Sequence, residues 1–221
     1  MTIFAGIVLL GVIAFSFSTA TAVDQVIVGG YAHETMNAGE DKAFRFMFQQ
    51  RNSVRLRFKT NTSLELDMNI DVENIGDKDI TIEVNCSEEV LMNMTCNETQ
   101  AELGLLNGNT IQTRSQNRYR YNYGFMTNIS INCTDFKARL SAQVGNVQGY
   151  TWAYWNDTED AWEEVETNLV DGEAVADVDH FSTWTLLSPD NSIGIETIGL
   201  FVIGFLAVGI MLVLYRYKKK R

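Results

Sequence analysis

A ten-residue stretch of this chain, residues 64–73, alternates strictly between apolar and polar side chains. Its sequence, LELDMNIDVE, places five apolar residues on one side of an extended chain and five polar residues on the other. Because successive side chains of a strand point to opposite faces, the pattern predicts a half-buried β-strand. The same period appears in residues 43–48 and 54–59, so the alternation predicts a mainly β fold.

A short polar stretch separates the strands predicted at residues 54–59 and 64–73. An antiparallel hairpin centred on Thr62 would bring apolar residues together on one face and opposite charges together on the other. Both faces select this register, since a slip of one residue turns every side chain over. The predicted pairs are Phe58 with Leu66, Leu56 with Met68, Lys59 with Glu65, and Arg57 with Asp67. Ion pairing thus accounts for the cationic face of Arg55, Arg57 and Lys59, with ligand binding as the alternative.

Further strands are predicted at residues 80–86, 118–125 and 127–133. In residues 118–125, Tyr119, Tyr121 and Tyr123 share one face of the extended chain, and Arg118 and Arg120 share the other. Aromatic side chains beside arginines can stack on sugars or bases. In an acidic chain we expect these tyrosines to pack in the core or against the sheet, with carbohydrate binding as the alternative.

The last third of the chain holds all four tryptophans. Residues 150–166, with a polar turn in the middle, predict one hairpin, and residues 169–175 predict a second through the Asp171-Gly172 turn. Residues 179–187 predict a final strand before Pro189, the only proline. The acidic loops 156–160 and 73–79 lack the alternating ligand spacing of a calcium-binding EF-hand, so we expect solvated loops and no metal or other cofactor.

An apolar, uncharged segment lies near each end of the chain. Residues 2–17 are followed by Ala20-Thr21-Ala22, a small-x-small pattern typical of signal-peptide cleavage. Residues 198–215 would form about 27 Å of helix, enough to cross a bilayer core. Five of the last six residues are basic, which favours a cytoplasmic tail. We expect a single-pass type I protein of the cell membrane with an extracellular ectodomain.

The predicted fold class is an antiparallel β-sandwich ectodomain, or two small packed β-modules, plus one transmembrane α-helix. A change in composition near Gly149 suggests the division of the ectodomain. The predicted segments are a signal peptide (1–22), a β-rich region (23–148), a Trp-rich C-terminal β-module (149–190), a linker (191–197), the membrane helix (198–215) and a basic tail (216–221).

The region between the two apolar ends is strongly acidic. Of the residues after Ala22 and before Glu196, 12 are Lys or Arg and 27 are Asp or Glu, a net charge of −15. This charge repels phosphate-rich surfaces, so nucleic acid is excluded as a partner. The expected partners are the membrane and, in an adhesive role, other cell-surface proteins or glycans.

Seven Asn-x-Ser/Thr sequons occur in the same region, where composition alone would place about two. Such an excess favours N-glycosylation and an exported, surface-exposed protein. The predicted glycosylation sites are Asn61, Asn85, Asn93, Asn97, Asn128, Asn132 and Asn156.

The three cysteines, Cys86, Cys96 and Cys133, all lie in the predicted ectodomain. An oxidising compartment favours one disulfide and one remaining thiol. Loop length favours a bond between Cys86 and Cys96, which leaves Cys133 as the expected free thiol. A zinc site is not expected, because the chain has no CxxC motif and only two histidines.

Residues 149–187 resemble a recurrent C-terminal ending of archaeal and some bacterial cell-surface proteins. The matching features are a Tyr/Trp-rich strand from Tyr150 to Trp155, an acidic turn, Trp162, Asp171-Gly172 and the sequence HFST from His180. The resemblance implies a β-rich module that ends an exported ectodomain, and it implies no defined biochemistry.

His180-Phe181-Ser182 also resembles the self-cleavage tripeptide of ZU5-type and nucleoporin autoproteolytic domains. In that chemistry His180 would act as general base, and the Ser182 hydroxyl would attack the carbonyl of Phe181. A structural hydrogen bond between His180 and Ser182 on one strand face explains the same spacing, and we expect no cleavage. The terminal KKKR resembles a eukaryotic dilysine retrieval signal, although a stop-transfer charge cluster explains it as well.

We therefore expect a non-enzymatic cell-surface glycoprotein with a structural, adhesive or recognition role in the cell envelope. The alternatives are a surface protein that cleaves itself between Phe181 and Ser182, and a membrane adaptor of the early secretory pathway with a dilysine-like tail.

Overall fold

The computed structural model describes residues 24–28, 30–49, 52–72, 76–97 and 101–190. These residues form a mainly β structure in which two sheets pack against each other, as the sequence predicts. No helix within the described ranges has the length and apolar character needed to cross a bilayer. The predicted signal peptide, linker, membrane helix and basic tail lie outside the described residues.

The strands vary from three to nine residues in length. In chain order they are β1 (Asp24–Val28), β2 (Tyr31–Met36), β3 (Asp41–Gln49), β4 (Asn52–Thr60), β5 (Leu64–Asp71), β6 (Lys78–Cys86), β7 (Val90–Asn97), β8 (Thr110–Gln112), β9 (Arg118–Arg120), β10 (Met126–Ile131), β11 (Phe136–Gln143), β12 (Thr151–Asn156), β13 (Ala161–Glu164), β14 (Asn168–Val170), β15 (Glu173–Val178) and β16 (Thr183–Pro189). A short 3-10 helix spans Ala101–Leu103.

Sheet 1 has the strand order β1-β3-β4-β6-β11-β15-β14, and sheet 2 has the order β13-β12-β16-β10-β7-β5-β2. The short strands β8 and β9 extend sheet 2 beside β16. Strands from residues 149–190 occur in both sheets, so the change in composition near Gly149 does not separate one sheet from the other. The main core likewise joins Phe44 and Leu66 to Trp152 and Trp184.

The hairpin predicted between residues 54–59 and 64–73 is wrong. β4 lies in sheet 1 and β5 lies in sheet 2, so the chain crosses between the sheets at residues 61–63. The predicted faces are correct, because the apolar residues of both strands are buried and the charged residues of β4 point outward. The pairing failed because two amphipathic strands can also bury their apolar faces against each other across a sandwich.

The predicted purely antiparallel pairing is also wrong in part. β4 pairs with β6 in parallel, and β5 pairs with β7 in parallel. β1 and β3 form a third parallel pair. The crossovers explain the parallel pairs β4–β6 and β5–β7. The strand between the two members of each pair lies in the opposite sheet and runs back along the sandwich. The second member therefore begins at the same end as the first and runs in the same direction.

Two hairpins predicted in the last third are confirmed. β12 pairs with β13 around the turn at residues 157–160, and β14 pairs with β15 around Asp171-Gly172. Asp171 and Gly172 have φ angles of 51° and 85°, the left-handed values that a two-residue hairpin turn requires.

The strand predicted at residues 118–125 is shorter than expected, because only Arg118–Arg120 is a strand. Tyr121 and Tyr123 are buried beyond its end, and Tyr119 donates a hydrogen bond to Glu164. The interpretation of these tyrosines as packing residues is therefore confirmed. The final strand begins at Thr183, so His180, Phe181 and Ser182 precede it.

The sandwich has two distinct ends, the disulfide end and the exit end. The disulfide end carries the bond between Cys86 and Cys133, together with the linkers at residues 61–63 and 87–89. The exit end is the opposite one, where β16 finishes beside β9 and the described chain stops at Asp190.

Candidate functional site

The asparagines of the sequons lie on the surface of the sandwich. Five are exposed, namely Asn61, Asn85, Asn93, Asn128 and Asn132, and Asn156 is half-buried. Asn97 ends β7, and its side chain is outside the described set. Where a sequon falls within a strand, alternation places the asparagine and the hydroxyl residue two positions later on the same face. A sequon on the outer face therefore presents both of its functional residues to solvent.

Two sequons face each other on the outer surface of sheet 2. β7 and β10 are antiparallel neighbours, and their register sets Asn93 opposite Ser130 and Thr95 opposite Asn128. All four side chains are exposed. The two sequons therefore form a compact square on adjacent strands, which sequence spacing alone could not reveal because they lie 35 positions apart.

The sequons are concentrated toward the disulfide end. Asn61 lies in one crossover, Asn85 is the next-to-last residue of β6, and Asn132 follows β10. Asn128 lies near mid-length, where it pairs with Thr183, the first residue of β16, and Asn156, the last residue of β12, precedes the turn at the disulfide end. Asn97 is the exception, because it ends β7 and pairs with Met126 toward the exit end.

Several of these asparagines also hold the backbone in place through the carbonyl oxygen of the side chain. Asn61 Oδ1 accepts a hydrogen bond from the Cys86 amide at 3.0 Å, and Asn132 Oδ1 accepts one from the Leu91 amide at 2.8 Å. N-linked glycans attach through the side-chain nitrogen. These two hydrogen bonds are therefore compatible with a glycan, since the carbonyl oxygen remains an acceptor after attachment.

Asn128 and Asn156 donate hydrogen bonds through the side-chain nitrogen. The side-chain carbonyl oxygen of Asn156 also accepts from the Thr158 and Glu159 amides. Asn128 Nδ2 donates to Thr183 Oγ1 at 2.9 Å, and Asn156 Nδ2 donates to Glu163 Oε1 at 2.7 Å. An attached sugar replaces one of the two amide hydrogens. At these two positions, an attached glycan either displaces the observed hydrogen bond or leaves the remaining amide hydrogen to donate it.

The disulfide predicted between Cys86 and Cys96 is wrong. Cys86 is bonded to Cys133, and Cys96 is a buried free cysteine. Cys96 lies six residues along β7 from Val90, about 20 Å from the start of that strand. β10 runs antiparallel to β7 and so returns the chain to the disulfide end just before Cys133. Strand direction, rather than loop length, decides the partner.

The thiol of Cys96 sits in the core between the sheets and is fully buried. Burial raises its pKa to about 12, and a hydrogen bond involving Thr127 offsets only part of that rise. Since the thiolate is the reactive form, this cysteine is protonated and inert at neutral pH.

The structure does not join His180 to Ser182 by a hydrogen bond. The Ser182 hydroxyl donates to the backbone oxygen of Trp155 at 3.0 Å. His180 Nδ1 lies 3.1 Å from Asp179 Oδ1, and the His180 ring packs edge-on against Tyr154 with centroids 4.4 Å apart. The predicted structural hydrogen bond between His180 and Ser182 is wrong, because residues 180–182 precede the strand and do not alternate as strand residues do.

This arrangement also bears on the self-cleavage alternative. A general base must reach the proton that it removes, and the Ser182 proton points to the Trp155 carbonyl. Phe181 stacks on Phe136 with ring centroids 4.9 Å apart and packs against the main core. The absence of cleavage remains a prediction, and intact-mass measurement of the wild type and Ser182→Ala tests it.

The cationic face of β4 forms ion pairs with neighbouring strands of sheet 1. Arg57 Nε lies 2.9 Å from Asp41 on β3, and Arg55 bridges Asp24 and Asp79 at 3.1 and 3.0 Å. Lys59 pairs with Glu83 on β6. The structural interpretation is confirmed for these side chains, although the partners differ from the predicted Glu65 and Asp67.

A shallow groove of about 620 Å³ lies over the same face, beneath the edge formed by β14. Its lining combines Arg57, Lys59 and Arg139 with five carboxylates. Within the described ranges no three or more His, Cys, Asp or Glu side chains are grouped to hold a metal ion. Residues 157–160 of one acidic loop form an exposed turn, and part of the loop at residues 73–79 lies outside the described residues.

No protein-family model matches this chain, and the searches of curated proteins and of solved structures also find no match. The resemblance of residues 149–187 to endings of archaeal surface proteins therefore stays a prediction, as does the resemblance of His180-Phe181-Ser182 to an autoproteolytic site.

Proposed function

We propose that this protein is a non-enzymatic cell-surface glycoprotein with a structural, adhesive or recognition role in the cell envelope. In this proposal, the helix at residues 198–215 anchors the chain in the membrane. The β-sandwich stands outside the cell and carries glycans around the disulfide end. Its partners are the membrane and neighbouring surface proteins or glycans.

One observation carries the proposal: none of the six sequon asparagines with described side chains is in the core. Strands in this sandwich bury every second residue, and those of the six that fall within strands take the outward-facing positions. The excess of sequons, their exposure and their concentration at one end are together expected of a chain selected to carry sugars. Glycans at that end would keep the sandwich hydrated and spaced from its neighbours.

The outer face of sheet 1 is the surface best suited to contact another protein. Apart from Asn85, the sequons lie on sheet 2 or in loops, so glycans would leave most of this face open. Its alternating charges, paired across β3, β4 and β6, favour specificity and orientation over raw affinity.

Expression of the full chain in an N-glycosylating host tests the proposal. Asn93→Gln and Asn128→Gln are each expected to remove the mass of one glycan, as measured by glycopeptide mass spectrometry before and after glycosidase treatment. Asn69→Gln is the matched control, because Asn69 is exposed on the same face opposite Thr95 and lies outside any sequon. An unglycosylated wild-type chain in its own membrane would contradict the proposal.

A further inference from the structure

The two ends of the sandwich differ in the side chains that they expose. Three exposed acidic loops lie at the disulfide end, where residues 87–89, 132–135 and 157–160 contain no Lys or Arg. Their acidic residues are Glu88, Glu89, Asp135, Asp157, Glu159 and Asp160. Together with the sequons, these loops make the disulfide end strongly hydrophilic.

Exposed apolar side chains gather at the opposite, exit end. Val28 and Met47 pair at the exit-side ends of β1 and β3, Val147 is in the β11–β12 loop, and Leu106 lies near Tyr121. Leu169 and Val170 flank the β14–β15 turn on the same side. Their exposures run from 38% for Leu169 to 89% for Val28. Val26 lies farther back on β1, Tyr31 lies near mid-length of the sandwich, and Leu91 lies near the disulfide end.

These apolar residues lie at the same end of the sandwich as the point at which the chain leaves it. Pro189 pairs with Tyr119, and Gly149, at the end of the loop that contains Val147, lies directly against Pro189. Only residues 191–197 separate Asp190 from the predicted membrane helix. Seven residues reach at most about 25 Å when fully extended. The exit end therefore cannot stand far from a bilayer that this helix crosses.

We propose that the apolar rim of the exit end, formed by Val28, Met47, Leu106, Val147, Leu169 and Val170, rests on the lipid bilayer that holds the membrane helix. This inference depends on the anchoring described under the proposed function and adds a defined orientation to it. Apolar side chains that reach the headgroup boundary gain the free energy of burial. The acidic, glycan-bearing disulfide end points away from the membrane.

Three cationic side chains accompany the apolar rim. Arg118 and Arg120 lie at the exit end, where Arg120 Nε is 2.8 Å from Asp190, and Lys78 lies 4.5 Å over the Tyr123 ring. Cationic side chains near the bilayer surface are attracted to lipid phosphates. Asp77, Asp171 and Glu173 also lie at the exit end, so the orientation rests on the apolar rim and the short linker rather than on net charge.

The test uses the full chain in phosphatidylcholine vesicles, with single cysteines introduced by Val147→Cys or by Leu91→Cys. The two positions are matched, since both are exposed apolar residues, at 48% and 39% respectively, at opposite ends. Both variants carry Cys96→Ala and keep the native disulfide. A fluorophore on the new cysteine is exposed in turn to a nitroxide on the lipid headgroup and to a water-soluble quencher.

The expected result is quenching by the lipid nitroxide at least about threefold stronger at position 147 than at position 91, because only the rim approaches the headgroups. Equal lipid quenching at both positions in chains that float with the vesicles would overturn the orientation alone. Protection of position 147 from both quenchers would also overturn it, since a second copy of the chain would then cover the rim. Chains that fail to float with the vesicles would overturn the membrane anchor and this inference together.

Discussion

The crossing region from β4 to β7 and the hairpin region from β12 to β15 are built from strands with the same alternation, yet their connections differ. The hairpin region joins neighbours in one sheet through residues 157–160 and Asp171-Gly172. The crossing region changes sheet at residues 61–63, 72–77 and 87–89. The crossings at 61–63 and 87–89 are three residues long and the hairpin turns are two and four, so length does not distinguish these connections.

These connections also differ in backbone conformation. Asp171 and Gly172 both adopt positive φ, and no residue of 61–63 or 87–89 does so. The two crossovers instead bond to each other: the Thr62 hydroxyl donates to Glu88 O at 3.0 Å, and the Val90 amide donates to Ser63 O at 2.9 Å. Alternation thus determines which face of a strand is buried. A positive φ does not by itself keep the next strand in the same sheet, since Gly39 in the β2–β3 crossover has a φ of 82°.

The largest expected effect tests the shared property, which is the buried face. Leu66 is fully buried, so Leu66→Asp is expected to lower the free energy of unfolding by about 5 kcal/mol, since it leaves a charge in the core without a partner. Leu66→Ala, expected to cost about 3 kcal/mol, serves if the first variant does not fold. Glu65→Gln on the exposed face should change stability by less than about 0.5 kcal/mol in urea denaturation. Equal losses at positions 65 and 66 would show that the faces are misassigned.

The second prediction concerns the disulfide that ties Cys86 of the crossing region to Cys133, which follows β10. Replacing Cys86 and Cys133 together with serine is expected to cost about 4 kcal/mol, because their 47-residue separation makes the unfolded chain much less restricted without the bond. Cys96→Ala should cost about 1 kcal/mol, the value for a small cavity. Peptide mapping without reduction should recover a peptide in which Cys86 is linked to Cys133. A peptide that links Cys86 to Cys96 would instead support the pairing favoured by loop length.

A third prediction addresses the hairpin turn. Gly172 has a φ of 85°, and an alanine there is expected to lower stability by about 1 kcal/mol because side chains disfavour this conformation. Asp171→Gly is the control and should cost nothing or stabilise slightly, since glycine adopts the left-handed region freely. Thermal unfolding of the two variants measures the difference in stability. If Gly172→Ala is as stable as the wild type, the positive φ at this position does not distinguish the hairpin turn from the crossovers.

The fourth prediction separates the observed ion pair from the one expected in a hairpin. A double-mutant cycle with Arg57→Ala and Asp41→Ala should give a coupling energy of about 0.5 kcal/mol, as exposed ion pairs do. The cycle with Arg57→Ala and Asp67→Ala should give none, because Asp67 lies in the other sheet opposite His33. A coupling energy between Arg57 and Asp67, with none between Arg57 and Asp41, would indicate that β4 and β5 pair in one sheet.

The smallest effect concerns the loop between β2 and β3, which also crosses between sheets. Hydrogen bonds from the side chain and backbone of Asn37, with Lys42 nearby, lower the pKa of Glu40 to about 2. A lowered carboxylate pKa stabilises the folded state above the unfolded value near 4.5, and that contribution is lost as the pH falls through about 2. Glu40→Gln should therefore lower the melting temperature slightly at pH 6, and its difference from wild type should shrink between pH 4 and pH 2. A constant difference across this range would contradict the assignment.

Several features of the fold could be read from local pattern. The β class, the buried faces of β4 and β5, the strands at β6 and β10, and both hairpins of the last third depend on side-chain period or on turn residues close in sequence. The packing role of Tyr121 and Tyr123 also followed from composition. The paired sequons at Asn93 and Asn128 could not be found in this way, because their proximity depends on the register between β7 and β10.

By itself, the sequence determined which residues are apolar, where the chain turns tightly and which asparagines belong to sequons. Only the tertiary structure decided that β4 and β5 separate, that Cys133 reaches Cys86, and that sequons and exposed apolar residues collect at opposite ends. The physical reason is that burying an apolar face is non-directional. A neighbouring strand and a facing sheet satisfy it equally well, so the choice depends on how all the strands pack together.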